Sequence, residues 1–214
     1  DGIIELFETL INLIKSDGYS ITDVRNLNCA GSHVQANDLL LSLLEPIFNA
    51  YRQYLSDHKE IDFNDMINLA SRYVEQGKYI NPYKYVIVDE YQDISKARFT
   101  LLDRLRRSRD YELFCVGDDW QSIYRFAGSD IGFILNFSKY WGATENSKIE
   151  TTYRFTQKLI EISGEFIMQN PAQIKKTIRG ESEEFGFPLG DISGYTDELA
   201  IEFMSNRLKD IPKG

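Results

Sequence analysis

Two acidic clusters in the chain each follow a short apolar run. Tyr85-Val86-Ile87-Val88 leads into Asp89-Glu90-Tyr91-Gln92-Asp93, and Leu113-Phe114-Cys115-Val116 leads into Gly117-Asp118-Asp119-Trp120-Gln121. Such runs, rich in β-branched residues, are the pattern of strands buried on both faces. In open α/β sheets, ligands bind just beyond the carboxyl ends of the strands. A strand that ends there in Asp-Glu sets one carboxylate beside a divalent cation and the next where it can polarise an attacking water. A single cluster is as readily a pair of solvated acids. Two on successive strands, the second continuing into Ser122-Ile123-Tyr124, point to phosphate chemistry.

The surrounding pattern predicts the elements that position these clusters. Residues 3–15 carry helical periodicity, stopped by Asp17-Gly18, and Ser20–Asp23 starts a second helix. Residues 34–56 are amphipathic, with Leu39, Leu40, Leu43, Leu44, Ile47, Phe48, Tyr51 and Leu55 on or near one face and Pro46 expected to kink or divide the helix. Asp62 is a suitable N-cap for a further helix. The chain therefore reads as helical to residue 80. Beyond it, strands at 85–88 and 113–116 flank a helix at 95–107. A helical stretch at about 130–139, a third strand at 149–152, a helix at 156–169, a loop at 181–190 and a last helix at 197–209 follow. Strand, helix and strand at this spacing predict a parallel sheet in an α/β domain.

Composition narrows the class. Of 214 residues, 43% are hydrophobic, enough for a substantial core, and the formal net charge of −9 argues against a general nucleic-acid binder. Any DNA contact must be local. Lys96, Arg98, Arg104, Arg106, Arg107 and Arg109 form a basic cluster, and a solvated helix face followed by a loop explains them better than a phosphate track. Cys29, Cys115, His33 and His58 have no zinc-ligand spacing, and Cys115 sits in an apolar run as a reduced core thiol. No window holds about 18 consecutive apolar residues, and Asp1–Glu5 does not resemble a signal peptide. A cytoplasmic location is expected. The missing initiator Met leads us to expect a piece of a longer protein.

The clusters and their context resemble the UvrD/Rep family of superfamily 1 helicases. Val86–Asp93 is similar to the family's motif II, Gly117–Gly128 to motif III, and Thr152-Tyr153-Arg154-Phe155 to the Tyr-Arg core of motif IV. Asp62-Phe63-Asn64-Asp65-Met66-Ile67 resembles the segment that precedes motif II. The Asp-Asp-Trp-Gln form of motif III, with Thr-Thr-Tyr-Arg-Phe and Gln169-Asn170-Pro171, is similar to the helicase IV type within the family. The resemblance covers about residues 60–178, and the order and spacing of its four motifs are specific.

It implies ATP and Mg²⁺ as cofactors, single-stranded and duplex DNA as partners, and a RecA-like α/β fold with an incomplete sheet. Asp89 resembles the Mg²⁺-side carboxylate and Glu90 the general base. Gln92, Asp93 and Asp118 resemble residues linking the nucleotide site to its surroundings. Gln121 resembles the glutamine that senses the γ-phosphate, Tyr153 the aromatic that packs on adenine, and Arg154 an arginine finger from the second motor domain. Tyr124 and Phe126 resemble aromatics that meet bases of single-stranded DNA, where stacking tolerates any sequence. Their alternation with Arg125 also allows core packing. Ala127 stands where many members have Arg, so the contact made by that Arg is lost, although the helicase IV type lacks it as well.

No Gly-x-x-x-x-Gly-Lys-[Ser/Thr] occurs in the 214 residues. The resemblance places that phosphate loop upstream and two further motifs downstream. The expected division is a helical region at 1–80, the tail of an insertion; the remaining sheet of the first motor domain at 81–148; and the start of the second at 149–214. The expected function is that of a helicase piece which does not itself hydrolyse ATP. The alternatives are the motor portion of a helicase–nuclease subunit, and a motor-derived binding module that needs no hydrolysis.

Overall fold

The computed structural model describes residues 2–27 and 33–180. The loop expected at 181–190, the helix expected at 197–209 and Cys29 lie outside the described residues. The chain divides into two compact units, Asp1–Glu145 and Asn146–Gly214.

The first unit opens with four helices, α1 (Gly2–Ser16), α2 (Ile21–Leu27), α3 (Val34–His58) and α4 (Phe63–Glu75). α1 ends where Gly18 adopts φ +72, a conformation that a side chain resists. Ser20 and Asp23 then start α2 reciprocally: Ser20 N donates to Asp23 Oδ2 at 2.8 Å and Asp23 N to Ser20 Oγ at 3.2 Å. α3 runs unbroken through Pro46, so of the kink or division expected there the division does not occur. Leu44 and Phe48, on either side of the proline, are both buried in one core, and that packing holds the helix together. The buried stripe is Leu41, Leu44 and Phe48, packed with Ile14 of α1 and Ile21 of α2. Leu39, Leu43 and Ile47 form a second, exposed ridge rather than joining that face.

α4 begins at Asp62, whose carboxylate accepts from Asp65 N at 2.8 Å. Such a cap is worth about 1 kcal/mol. The same carboxylate accepts from Lys15 Nζ, and from Tyr51 Oη at 2.9 Å. Lys15 is buried and also pairs with Asp65 at 2.9 Å. Burial pushes the Asp62 carboxyl up, but the hydrogen bonds from Lys15, Asp65 N and Tyr51 outweigh it and hold it below the usual carboxylate range.

The α/β part follows. β1 (Tyr85–Val88) and β2 (Glu112–Cys115) pair in parallel, Val88 opposite Cys115, with α5 (Lys96–Ser108) as the crossover. α6 (Gly132–Leu135) and α7 (Phe137–Trp141) are two short helices where one was expected, parted at Asn136. Val88 and Cys115 pack with Tyr91, Ile94, Phe99, Leu102 and Phe133. Phe99 stacks on Phe133 at 4.4 Å, and Trp141 Nε1 donates to Tyr91 Oη at 2.7 Å. Burial pushes the Cys115 thiol up to about 12, so it is neutral and inert at physiological pH.

Contrary to the sequence reading, β1 and β2 are not buried on both faces. Val86, Val88, Leu113 and Cys115 are half-buried, while Tyr85, Ile87, Glu112 and Phe114 are exposed. A strand's side chains alternate between faces, and here only one face of the two-stranded sheet is packed. Much of the basic cluster is held within the chain. Arg104 reaches Ser71 and Glu75 on α4, both at 2.9 Å, Arg106 pairs with Asp110 and Arg107 with Asp103.

In the second unit, β3 (Thr151–Thr152) and β4 (Arg179–Gly180) pair in parallel, with α8 (Gln157–Ile167) between them in sequence. β3 is the strand expected at 149–152, shortened to two residues. Among the described residues no helix is long and apolar enough to cross a membrane.

Candidate functional site

Parallel pairing in register brings the carboxyl ends of β1 and β2 together, so the two acidic clusters leave the sheet side by side. Val116 N donates to Val88 O at 2.9 Å and Tyr91 N to Val116 O at 2.8 Å, which extends the ladder into the loops. Asp89 is exposed, and its Oδ1 accepts from Glu90 N at 2.9 Å. Glu90 is exposed and takes φ +51, a left-handed conformation that costs a non-glycine residue about 1 kcal/mol or more. Its carboxylate accepts from Gln92 Nε2 at 2.7 Å.

Gln92 is the hub of the site. It is 1% exposed. Beyond its bond to Glu90, its Oε1 accepts from Asp118 N at 2.9 Å. Asp118 carries the link onward: its Oδ2 accepts from Gln121 Nε2 at 2.8 Å and its Oδ1 from Trp120 N at 3.1 Å. Glu90, Gln92, Asp118 and Gln121 thus form one continuous chain of hydrogen bonds across the two strand ends. Gly117 makes room for it. A Cβ there would lie 2.9 Å from both Gln92 Oε1 and Ile134 Cδ1.

Asp93 sits on the inner side of the same loop. Its Oδ2 lies 3.5 Å from Gln92 Nε2, while its Oδ1 is buried with no hydrogen-bond partner. Burial, and then the Glu90 charge, push its carboxyl above the usual range. The Asp93 carbonyl accepts from Ser129 Oγ at 3.2 Å, Asp130 N donates to Ile94 O at 3.1 Å, and Ser95 and Ser129 form an antiparallel bridge. The two loops are therefore stitched by Gln92 near the strands and by Ser129 and Asp130 farther out.

Between these stitches the second loop carries Tyr124 and Phe126. They are 46% and 71% exposed, so neither is a core residue, and their rings lie 6.0 Å apart. Tyr153 and Arg154 belong to the second unit, just after β3, where both are exposed and Arg154 N donates to Thr152 Oγ1 at 3.3 Å.

The donor set suits a hard cation shared with phosphates. Among the described residues no three His, Cys, Asp or Glu side chains could hold a metal ion between them. Asp89 offers carboxylate oxygen only, and Mg²⁺ is commonly bound by one or two carboxylates with phosphate and water as its remaining ligands.

Gly117 and the buried Asp119 enter the sequence reading only as members of the second acidic cluster, without roles of their own, and Ser129 does not enter it at all. For Gly117 a signal existed in its place between an apolar run and two acids. Ser129 carries none.

The profile of the UvrD/REP helicase N-terminal domain matches residues 5–141. The chain belongs to the UvrD/Rep helicase family. Among curated members, DNA helicase IV of Escherichia coli (strain K12) is 40% identical over 176 residues, 81% of this chain and 25% of that protein. The ATP-dependent DNA helicase PcrA of Staphylococcus epidermidis (strain RP62A) is 35% identical over 141 residues, 64% of this chain and 19% of that protein. PcrA of Staphylococcus aureus (strain NCTC 8325) is 35% identical over 146 residues, 66% of this chain and 20% of that protein. The chain spans about a quarter or less of the length of these UvrD/Rep relatives.

Proposed function

We propose that this chain is part of an ATP-driven motor that moves along single-stranded DNA and separates the strands of duplex DNA. The observation that carries the reading is the bonded chain from Glu90 through Gln92 and Asp118 to Gln121, which ends three residues before an exposed aromatic pair. Family membership and the relatives' activities support it.

In this reading residues 81–148 belong to the first RecA-like motor domain, 1–80 are the helical insertion before it, and 149–214 open the second. When Mg²⁺ and ATP are bound they supply the electrophilic phosphorus and neutralise its oxygens. Asp89 stands on the cation's side. Glu90 accepts the proton of the attacking water, and Gln92 fixes the direction of that carboxylate. Gln121 would contact the terminal phosphate and pass its loss along its own loop to Tyr124 and Phe126, while Asp118 ties it back to Gln92 and Glu90. Tyr153 packs on adenine, and Arg154 brings fixed charge to the transferring phosphoryl group. The protein works in the cytoplasm.

The 214 residues contain no glycine-rich phosphate loop with its lysine. By themselves they are expected to release no phosphate from ATP. The test is phosphate release by the full-length protein and by this chain, each with and without single-stranded DNA. DNA-stimulated turnover by the full-length protein alone supports the reading. Turnover by the 214-residue chain that vanishes with Glu90→Gln overturns that expectation, and a full-length protein indifferent to DNA overturns the motor.

A further inference from the structure

α1 ends against the base of the aromatic segment. Ser16, its last residue, is 5% exposed, and its Oγ donates to Leu13 O at 2.9 Å. Gly128 closes the turn that carries Tyr124 and Phe126: Ala127 N donates to Tyr124 O at 2.9 Å and Gly128 N to Arg125 O at 3.0 Å. Gly128 takes φ +91, which alone favours glycine. The space around it adds a separate demand. A Cβ on Gly128 would strike Ser16 Oγ and lie 2.9 Å from Ser16 Cβ, so the backbone of the turn rests directly on the end of α1.

Ser16 cannot retreat from that contact. The preceding Lys15 is buried and held by Asp62 and Asp65 at the start of α4, and Lys15 O accepts from Asn68 Nδ2 at 2.9 Å. α1 and α4 are thus clamped to each other just behind the contact. On its other side the turn is tied to the loop after β1 through Ser129 and Asp93.

We propose that Ser16 is a positioning residue for DNA binding: the clamped end of α1 is a stop that sets where Tyr124 and Phe126 present their rings. This deepens the proposed function and rests on its assignment of those two aromatics to DNA. The helical region then acts on the DNA contact without touching DNA at this point. A larger side chain at position 16 displaces the turn and weakens stacking, while nucleotide binding, to which neither Ser16 nor Gly128 is assigned a contact, is unchanged.

The test is a double-mutant cycle in the full-length protein, read as affinity for an oligo-dT strand by fluorescence anisotropy, with nucleotide affinity as the control. Stacking of one base is worth about 5- to 150-fold in affinity, and displacement is expected to lose the lower part of that range. Ser16→Val should weaken oligo-dT binding about fivefold, leave nucleotide affinity at the parental value, cost less in a protein already carrying Phe126→Ala, and cost nothing further once Tyr124→Ala is added as well. Ser16→Thr, which adds one methyl and keeps the hydroxyl, should show the same pattern in reduced size, and decides the matter if Ser16→Val fails to fold. Equal losses with and without Phe126→Ala would mean that position 16 acts through general stability, and the proposal fails. Parental affinity for both Ser16 variants, beside a weakened Phe126→Ala, overturns the stop alone. Parental affinity for Phe126→Ala overturns the stacking assignment itself.

Discussion

Gln92 donates to the Glu90 carboxylate at 2.7 Å from a side chain that is otherwise sealed in the protein. Its other end is fixed by Asp118 N, so the amide has one orientation and Glu90 inherits it. Gln92→Ala in the full-length protein should therefore lower kcat for ATP about tenfold or more, a part of the roughly 10²–10⁴ that general-base catalysis contributes, with KM for ATP little changed. It also removes the Gln92 hydrogen bond to Asp118 N, at about 0.5–1.5 kcal/mol of stability. Steady-state phosphate release and thermal melting check both. An unchanged kcat with lowered stability would reduce Gln92 to a packing residue.

Gly117 is where the two loops come closest. Gly117→Ala would press a methyl into Gln92 Oε1 and Ile134 Cδ1. Overpacking of this kind costs about 1–3 kcal/mol, and here it should also lower kcat, because the atom displaced belongs to Gln92. Melting and turnover measured on the same preparation test the link. A fall in stability with parental turnover would break it.

Burial and the Glu90 charge both disfavour the charged form of Asp93. Its folded pKa lies above the ordinary value, so the folded state binds the proton more tightly than the unfolded chain does. Stability contributed by that proton is present at low pH and is lost as pH rises through the folded pKa. Asp93→Asn should raise the melting temperature at about pH 7, and the gain should shrink towards about pH 4. A lower melting temperature at neutral pH would show that the carboxylate is stabilising after all.

Lys15 works in the opposite sense. Lys15→Met leaves Asp62 and Asp65 without their cation. Breaking a buried pair costs about 3–5 kcal/mol, and the partial exposure of both acids reduces this to about 2–3 kcal/mol. Asp62 has a depressed folded pKa, so its contribution is present above its ordinary value and is lost as pH falls through the folded one. The melting difference between parent and Lys15→Met should be full at neutral pH and shrink below about pH 4. A difference that stays constant with pH would remove the ion pair from the explanation.

What the sequence made legible was what local pattern encodes. The stop at Gly18, the cap at Asp62 and the two strands ending in acids follow from short-range rules. Lys15 was not legible, because a lysine at the end of an amphipathic helix usually reaches solvent, and only the packing of α3 and α4 over it makes it buried. The bond from Gln92 to Asp118 spans 26 residues, and no periodicity reports it. The apolar runs at 85–88 and 113–116 showed an appetite for burial, but the number of covered faces depends on what lies beside the sheet, and here it is one.

The most direct test of the proposed chemistry is single-turnover hydrolysis of ATP by the full-length protein and its Glu90→Gln variant, with single-stranded DNA present and nucleotide binding followed in parallel. The exchange keeps the shape and removes the base. Hydrolysis should fall about 10²–10⁴-fold while nucleotide binding stays at the parental level. Hydrolysis by Glu90→Gln at the parental rate would contradict the assignment of this carboxylate, and with it the reading of the two strand ends as a nucleotide-hydrolysing site.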